Sequence, residues 1–285
     1  MRAVKHETSD LSTIAKMVLV RRRPWGRMIS AALVALAVAM VIRAFALGDV
    51  EWDYVARYLT AKSILTGIVN TAVMSVCAMA LGIVLGIIVA LMRMSENPVL
   101  TVVASGYVWL FRGAPALLQL LLWYNLALIF PTIGIPGLWE VQTVDVMTPF
   151  VATLLGLGIA QGAYTSEVVR GGLMAVDSGQ FEAAKAIGMP PMAMMRRIVM
   201  PQAMRVILPP IGNEFIGMVK LTSLASVIQF SEVLHSAQTI YYANARVIEL
   251  LIVASIWYLV VVTVLTIGQG FIERRFGRGA QAGRL

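Results

Sequence analysis

The sequence predicts an all-α integral membrane protein with about six transmembrane helices. Of its 285 residues 59% are hydrophobic and only 13% are charged, whereas an ordinary soluble domain has roughly 25% charged residues. Such a chain has too little polar surface to cover a globule, so lipid has to be part of its solvent. Arg21, Arg22 and Arg23 precede the first apolar run, and Arg274 and Arg275 follow the last one. These positions fit the positive-inside rule, so the net charge of +8 does not indicate a nucleic-acid-binding protein.

The first apolar run, residues 28–47, predicts an N-terminal transmembrane helix after a basic cytoplasmic tail, residues 1–27. A signal peptide is the competing interpretation, because three arginines precede the run and Ala44-Phe45-Ala46 resembles a cleavage site. The run is long for the apolar part of a signal peptide, so we expect it to be retained as an anchor.

The second and third apolar runs predict a return to the cytoplasm and a bent segment. Residues 63–92 contain Gly82 and Gly86, a spacing that permits close helix packing. Residues 99–130 would reach roughly 48 Å as one straight helix, which exceeds a hydrocarbon core of about 30 Å. We therefore expect a bend near Arg112-Gly113-Ala114-Pro115.

Three further runs, 149–169, 206–230 and 247–272, complete the six predicted spans. The segments 131–148 and 231–246 are expected to be external, and a basic segment, 170–205, to be cytoplasmic. With the tail 273–285, this places both chain termini in the cytoplasm. No second domain or internal repeat is visible in the core, residues 63–272.

The cytoplasmic segment contains a short polar helix between two long apolar runs. Asp177 or Ser178 can cap its first amides, and Gly188 followed by Pro190 ends it. At roughly 14 Å it cannot span a bilayer. Its alanines have small side chains, so a groove of a soluble partner protein could approach the helix backbone closely. The alternative is a solvated surface helix with no partner.

This stretch resembles the EAA loop of the membrane subunits of bacterial ABC importers. Glu182-Ala183-Ala184, Gly188 and Ile198 match that motif, and Met200 stands before Pro201 where Leu is usual. The surrounding sequence is similar to the polar amino acid uptake permeases over residues from about 63 to about 275. The matching positions are Tyr107, Arg112-Gly113-Ala114-Pro115, Ala163-Tyr164, Glu167, Arg170-Gly171-Gly172, Gly179-Gln180, Pro201-Gln202-Ala203, Asn213, Lys220 and Thr222-Ser223-Leu224.

The resemblance implies a five-helix importer core plus one additional N-terminal helix, in the bacterial inner membrane. It implies a second permease copy or a related permease, two cytoplasmic ATPase subunits that bind ATP and Mg²⁺, and an extracytoplasmic amino acid binding protein. The ATPase-coupling residues would be Gln180, Glu182, Ala183, Ala184, Ala186 and Gly188. The chain itself has no Gly-x-x-x-x-Gly-Lys-[Ser/Thr] phosphate loop, so we expect a transport subunit and not an enzyme.

Two basic residues lie within the apolar runs of the core, where a charge is costly unless it faces water, protein or a headgroup. Arg112 is either part of the translocation path or gate, or a residue whose side chain reaches the headgroups from a helix break. Lys220 has Glu214 or Glu167 as possible partners. The family usually has Asp where Leu221 follows this lysine, which weakens the transfer of a gating role.

Other polar residues of the spans are candidates for the same path. Asn213, Thr222 and Ser223 are either substrate contacts or hydrogen-bonding groups between helices. Gln161 and Glu167 either line the path or satisfy neighbouring helices. A metal site is not expected, because Cys77 is the only cysteine and His6 and His235 are far apart in sequence.

Three other functions compete with the importer hypothesis. A secondary carrier driven by an ion gradient would need paired midplane carboxylates or inverted repeats, and the candidate carboxylates for such a pair are Glu167 and Glu214. A membrane enzyme would need a convergent acid, base or metal set, which the sequence does not show. A scaffold that moves no solute would not need charged residues within its spans.

Overall fold

The computed structural model describes residues 25–135 and 137–276 of the chain. Its helices, in chain order, are α1 Trp25–Leu47, α2 Trp52–Leu59, α3 Lys62–Arg93, α4 Pro98–Gly113, α5 Ala116–Tyr124, α6 Thr143–Val146, α7 Pro149–Met174, α8 Ser178–Ala186, α9 Pro191–Met194, α10 Met200–Leu221, α11 Val233–Asn244 and α12 Val247–Phe276. Shorter elements are the strands β1 Thr132–Ile135 and β2 Trp139–Gln142, a π-helical turn, Met195–Val199, and the 3₁₀ segments Leu126–Leu128 and Thr222–Ile228.

Helix α1 belongs to a separate compact unit that ends at Val50. It starts three residues before the predicted span and, with 23 residues, is long enough to cross a bilayer. All of its residues are exposed, as expected for a helix surrounded by lipid. The rest of the predicted N-terminal tail, residues 1–24, and residues 277–285 of the predicted C-terminal tail lie outside the described residues.

The structure confirms a multi-helix membrane fold but not the count of six spans. Within residues 25–135 and 137–276, four helical segments are long and apolar enough to cross a membrane, and the pair α4 and α5 adds a fifth if it forms one span. The predicted span in α7 is not among them, although α7 has 26 residues. More than half of α7 is buried against other helices, so small and polar side chains replace the apolar ones that lipid would require.

The bend expected near Arg112 is confirmed. The axes of α4 and α5 differ by 102° across a break at Ala114 and Pro115. Gln119 stabilises the corner, because its Nε2 donates to the carbonyl oxygens of Phe111 at 3.0 Å and Ala114 at 2.9 Å. These carbonyls would otherwise lack a partner at the end of a broken helix.

Helices α3 and α7 pack closely where α3 carries glycine, as predicted from the glycine spacing. A Cβ atom built on Gly82 would lie 2.6 Å from Cγ of Gln161, and one on Gly86 would lie 2.7 Å from Cβ of Thr165. Both distances are shorter than a side-chain contact allows. The two backbones therefore approach each other at a place where only glycine fits.

Replacing Gly86 by Ala should lower the stability of the permease. The added methyl group forces α3 away from α7, and overpacking of this kind costs about 1–3 kcal/mol. Gly106→Ala is the matched control, since nothing lies within 4 Å of its added Cβ and Ala is favoured over Gly inside a helix. The thermal unfolding midpoint in detergent should fall for Gly86→Ala and not for Gly106→Ala; equal midpoints would contradict the close contact.

The core of the unit that begins at Glu51 has two main apolar clusters. The first joins α3, α5, α7 and α10 to the 3₁₀ segment, Thr222–Ile228, through residues such as Met74, Leu120 and Met218. The second joins the ends of α3 and α7 to α8 and the start of α10, through residues such as Leu173, Ala184 and Ala203. Helices α3, α7 and α10 take part in both clusters and thus form the centre of this unit.

Two segments predicted only as external connections contain regular structure. Residues 131–148 form an antiparallel hairpin in which Ile133 of β1 lies opposite Val141 of β2. Residues 231–246 contain α11, whose first amides are capped by the carboxylate of Glu232. The alternation of apolar and polar residues in 132–142 was the signal for the hairpin.

Candidate functional site

Helix α8 is the short polar helix expected in the cytoplasmic segment, and it has a defined start. Asp177 is the N-cap residue, and its Oδ1 accepts a hydrogen bond from the backbone N–H of Gly179 at 2.8 Å. An aspartate at this position satisfies an amide that has no partner inside the helix. Of the two caps that the sequence allowed, the structure therefore uses Asp177.

The end of α8 is fixed by a turn that requires glycine. Gly188 has φ +70°, a left-handed conformation that costs other residues roughly 1–2 kcal/mol. Its N–H donates to the carbonyl of Lys185 at 2.9 Å, and the N–H of Met189 donates to the carbonyl of Ala184 at 3.0 Å. These two bonds form a Schellman motif, which satisfies the last carbonyls of the helix.

Gly188→Ala is therefore expected to destabilise the end of α8 by about 1–2 kcal/mol. The cost comes from backbone strain alone, because nothing lies within 4 Å of a Cβ at this position. Gly268→Ala is the control, since its site is equally open but lies within α12 and has no positive φ. Amide hydrogen exchange of α8 should accelerate in Gly188→Ala only; unchanged exchange would contradict the role of the turn.

The two faces of α8 differ in exposure. Ala184 is 1% exposed and packs into the apolar cluster that includes Leu173 and Ala203. The other predicted coupling residues of this helix lie on its exposed face, namely Gln180, Glu182, Ala183 and Ala186. A partner protein can thus contact these four side chains, whereas Ala184 holds the helix against α7 and α10.

A polar contact also joins α8 to α10. Nε2 of Gln202 lies 3.4 Å from Oε1 of Gln180, and it donates to the carbonyl of Ile198 at 3.0 Å. Together with the apolar packing of Ala184, this contact makes α8 part of the helical body. Helix α8 is therefore held against both α7 and α10.

A second group of candidate residues meets at the carboxylate of Glu167. Arg93, the last residue of α3, donates to Oε1, and Arg170 donates to Oε2 at 2.9 Å through Nη2. Arg112, near the end of α4, places Nη1 3.6 Å from Oε1, and its guanidinium carbon lies 5.2 Å from the centre of the Tyr164 ring. One carboxylate thus joins three helices through three cations, and Arg112 lies at this junction.

Gln161 takes part in a separate buried cluster, six residues before Glu167 on α7. Its Nε2 donates to Glu214 Oε2 at 2.7 Å and to Thr165 Oγ1 at 3.1 Å, and Thr165 donates to the same carboxylate at 3.0 Å. The side chain of Gln161 therefore satisfies a neighbouring helix, as one of the two sequence interpretations proposed.

The polar residues of α10 and of the segment after it do not meet at one site. Asn213 donates to Glu273 of α12 at 3.2 Å, which is a bond between helices. Thr222 and Ser223 instead donate to the carbonyls of Val219 and Lys220, both at 2.7 Å. The bond of Asn213 is thus one between helices, whereas the two hydroxyls donate within their own segment, because each lies one turn after a carbonyl freed where α10 ends.

The expected partners of Lys220 are wrong. Glu167 pairs with arginines and Glu214 accepts from Gln161 and Thr165, and none of the ion pairs in the described part of the chain includes Lys220. The lysine is exposed and lines a cleft with Ser223 and Tyr258. Within the described residues its ammonium group has no carboxylate partner, in a helical segment that is long and apolar enough to cross a membrane.

Sequence reasoning missed two groups of this region. Arg93 pairs with Glu167, and a cation at the end of an apolar run was the available signal. Glu232 is fully buried, caps α11 through the N–H groups of Leu234 and His235, and accepts from the hydroxyl of Tyr258. Nothing in the local sequence indicates that tyrosine as its partner.

Comparisons with known proteins agree on one family. The family model described as "Binding-protein-dependent transport system inner membrane component" matches residues 82–278. The arginine transport system permease protein ArgU of Corynebacterium glutamicum is 40% identical over 258 residues, which cover 90% of this chain and 81% of that protein. The nopaline transport system permease protein NocM of Agrobacterium fabrum is 37% identical over 204 residues, covering 71% and 83%.

Solved structures give the same result for the fold. The chain is similar to one chain of a structure described as an amino acid ABC transporter with histidines, with a TM-score of 0.65 and 35% identity, covering 75% of this chain and 94% of that one. The MetNI methionine ABC transporter has a TM-score of 0.60 at 16% identity, covering 75% and 96%. At that identity the second likeness concerns the fold alone.

Proposed function

Because this chain belongs to the family of binding-protein-dependent transport system inner membrane components, we propose that it forms the membrane path of an ATP-driven importer for a polar amino acid. The chain is a permease subunit of an ABC importer. The relatives named for arginine, nopaline and L-cystine transport support an amino acid or a related compound as the solute. The observation that carries the proposal is α8, an exposed helix fixed at both ends and joined to the helical body.

In this proposal α8 is the contact with the ATPase. Gln180, Glu182, Ala183 and Ala186 form the contact surface, Ala184 anchors the helix, and Gly188 sets where it ends. Small side chains suit this surface, because they let a groove of the ATPase approach the helix backbone. Rotation of the ATPase subunits as they close around ATP would then move α7 and α10 as a rigid lever.

The family implies ATPase subunits and a binding protein as partners. We propose a complex of two permeases, either two copies of this chain or one copy and a related chain, with two ATPase subunits and one extracytoplasmic binding protein. ATP and Mg²⁺ would bind to the ATPase subunits. The permease contributes no catalytic group in this scheme and acts through different contacts in two conformations.

The protein is a multi-pass component of the inner membrane. We propose that α8 and both chain termini lie on the cytoplasmic side, with six crossings in total. The domain arrangement would be two cytoplasmic tails, 1–27 and 273–285, an additional helix over 28–47 and a core over 63–272. In the structure the segment between the long helices α7 and α10 runs from 175 to 199, which is shorter than the predicted 170–205.

The translocation path would pass the polar residues of α4, α7, α10 and the segment after α10. We assign to it Arg112, Gln161, Glu167, Asn213, Lys220, Thr222 and Ser223. The junction of Arg112 and Glu167 supports a gate, since breaking these ion pairs would let α3, α4 and α7 separate. The internal hydrogen bonds of Gln161, Thr222 and Ser223 support a role in holding the walls of the path.

Uptake into proteoliposomes that hold the ATPase in their lumen distinguishes this proposal from an ion-driven carrier. The permease, its ATPase and its binding protein are reconstituted, and labelled arginine, glutamine and cystine are supplied on the binding-protein side. Uptake should require ATP inside the compartment that holds the ATPase and should persist when ionophores remove ion gradients. Uptake that stops with ionophores and continues without ATP would contradict the proposal.

A further inference from the structure

An elongated apolar cavity lies between α3, α7 and α10. It has a volume of about 400 Å³, equivalent to roughly thirteen molecules of liquid water. Helices α3 and α7 each line it with residues four positions apart, namely Ile83, Ile87 and Leu91 on α3 and Thr165, Val169 and Leu173 on α7. Each of these sets reaches about 12 Å along its helix axis, so the cavity runs along the helices.

The cavity suits a hydrocarbon chain better than water or a polar solute. Among the described residues that line it, only Thr165 has a polar side chain, and its hydroxyl donates to Glu214 and accepts from Gln161. A buried water molecule needs about two to four polar partners. An amino acid in transit would also lose its hydrogen bonds here, which costs free energy. The translocation path therefore does not pass through this cavity.

The side of the cavity formed by α3 opens to the surface of the helical bundle. Ile87 is 43% exposed and Leu91 is 56% exposed, and both lie on a helix long and apolar enough to cross a membrane. Lipid can thus reach the cavity from the bilayer. An acyl chain that enters recovers the dispersion contacts that an empty cavity would lose.

Three arginines lie beside the cavity where α10 begins. Arg196 and Arg197 belong to the π-helical turn before α10, and in the chain they lie between Met195 and Met200, which line the cavity. Arg205 follows on the second turn of α10. All three arginines are exposed, and none of the ion pairs within residues 25–135 and 137–276 includes them.

The charge of these arginines favours an anion that carries phosphate. No acidic residue occurs between Glu182 and Glu214, so the local sequence does not neutralise them. A guanidinium group can bind a phosphate through two parallel hydrogen bonds. Basic groups beside membrane helices attract the anionic lipids of the cytoplasmic leaflet.

We propose that the cavity binds an acyl chain of an anionic phospholipid whose phosphate headgroup pairs with Arg196, Arg197 and Arg205. The acyl chain fills the space between the three helices, and the headgroup holds the π-helical turn beside α10. The inference goes beyond the proposed function and uses the proposed cytoplasmic side of α8 only to assign the lipid to the inner leaflet. Val169, Leu173 and Ile207 line the cavity and also belong to the apolar cluster that contains Ala184 of α8, so the lipid should stabilise the support of α8.

Native mass spectrometry of the purified full-length permease in detergent tests the headgroup contact. The probes are phosphatidylglycerol and phosphatidylcholine with the same acyl chains. The wild type should bind one phosphatidylglycerol per chain with an affinity about tenfold to one hundredfold higher than that for phosphatidylcholine. The double variant Arg196→Gln with Arg197→Gln should lower this preference about tenfold or more. Arg274→Gln with Arg275→Gln removes two exposed arginines from the end of α12 and should keep the preference.

A second pair of variants tests the cavity itself. Ile87→Trp places a larger side chain at the opening of the cavity and should weaken the binding of both lipids about tenfold or more. Ile88→Trp is the matched control, because Ile88 is 49% exposed and is not among the lining residues. Added phosphatidylglycerol should raise the thermal unfolding midpoint of the wild type and of Ile88→Trp but not of Ile87→Trp. The midpoint without added lipid shows that each variant is folded.

Several results would overturn the site. They are the absence of bound phosphatidylglycerol on the wild type, an unchanged preference in Arg196→Gln with Arg197→Gln, and equal lipid binding by Ile87→Trp and Ile88→Trp. Displacement of the lipid by millimolar inorganic phosphate would also overturn it, since the arginines would then bind an anion without the acyl chain. Loss of permease dimerisation in Ile87→Trp with lipid binding intact would assign the cavity to a contact with a second permease. Because none of these measurements needs an ATPase, failure of the importer proposal would leave this test unaffected.

Discussion

Replacing Ala183 by Leu is expected to abolish ATP-driven uptake while the permease remains folded. Ala183 is on the exposed face of α8, so a larger side chain leaves the permease core unchanged but prevents close approach of the ATPase. Overpacking of about 1–3 kcal/mol would weaken ATPase binding roughly tenfold to one hundredfold. Co-purification of the ATPase and uptake in proteoliposomes measure the effect.

Ala184→Leu is the matched control, because the same substitution falls on the adjacent residue but on the buried face. Ala184 is 1% exposed within an apolar cluster, and the added volume should lower the stability of the permease itself by about 1–3 kcal/mol. The thermal midpoint of the isolated permease should therefore fall for Ala184→Leu and stay unchanged for Ala183→Leu. Normal ATPase binding by Ala183→Leu would contradict the assignment of α8 as the contact.

Replacing Glu167 by Gln is expected to open the junction of α3, α4 and α7. The neutral amide leaves Arg93, Arg112 and Arg170 close together without a counter-charge, and each loses a charge-assisted hydrogen bond or ion pair. Bonds to a charged partner contribute about 1.5–3 kcal/mol each, and partial exposure of this group puts the total loss near the lower end of that range. The thermal midpoint should fall, and ATP hydrolysis should become less dependent on substrate because the proposed gate is weakened.

Two variants control for the loss of a carboxylate in general. Glu96→Gln removes an exposed carboxylate from the turn that follows α3, and it should leave the thermal midpoint unchanged. The double variant Glu167→Gln with Arg170→Gln removes one of the three crowded cations and should recover part of the lost stability. A midpoint of Glu167→Gln equal to that of Glu96→Gln would contradict the role of the junction.

The helices and the main motif could be predicted from the sequence because their signals are local. Long apolar runs predicted α1, α3, α10 and α12. The excess length of residues 99–130 predicted the bend between α4 and α5. The cap at Asp177 and the end at Gly188 also follow from neighbouring residues. The glycine spacing on α3 predicted its close packing, which the contact with α7 confirms.

The partners of charged side chains could not be predicted, since they depend on how distant helices cross. Glu167 had several candidate partners in the sequence, and the packing of α3 and α4 against α7 determined that Arg93 and Arg112 are among them. The orientation of α8 could not be predicted either, because it also depends on how distant parts of the chain pack. Glu182-Ala183-Ala184 is one motif in the sequence, but Ala184 faces inward because the inner apolar cluster lies on that side.

The most direct test of the importer account is ATP hydrolysis by the permease assembled with its ATPase in lipid vesicles. The rate is compared without addition, with the binding protein, and with the binding protein plus arginine, glutamine or cystine, for the wild type and for Ala183→Leu. The account predicts that binding protein with one of these amino acids stimulates hydrolysis in the wild type, that uptake accompanies it, and that Ala183→Leu shows neither. Failure of any ATPase to assemble with the wild-type chain, or uptake without ATP hydrolysis, would contradict it.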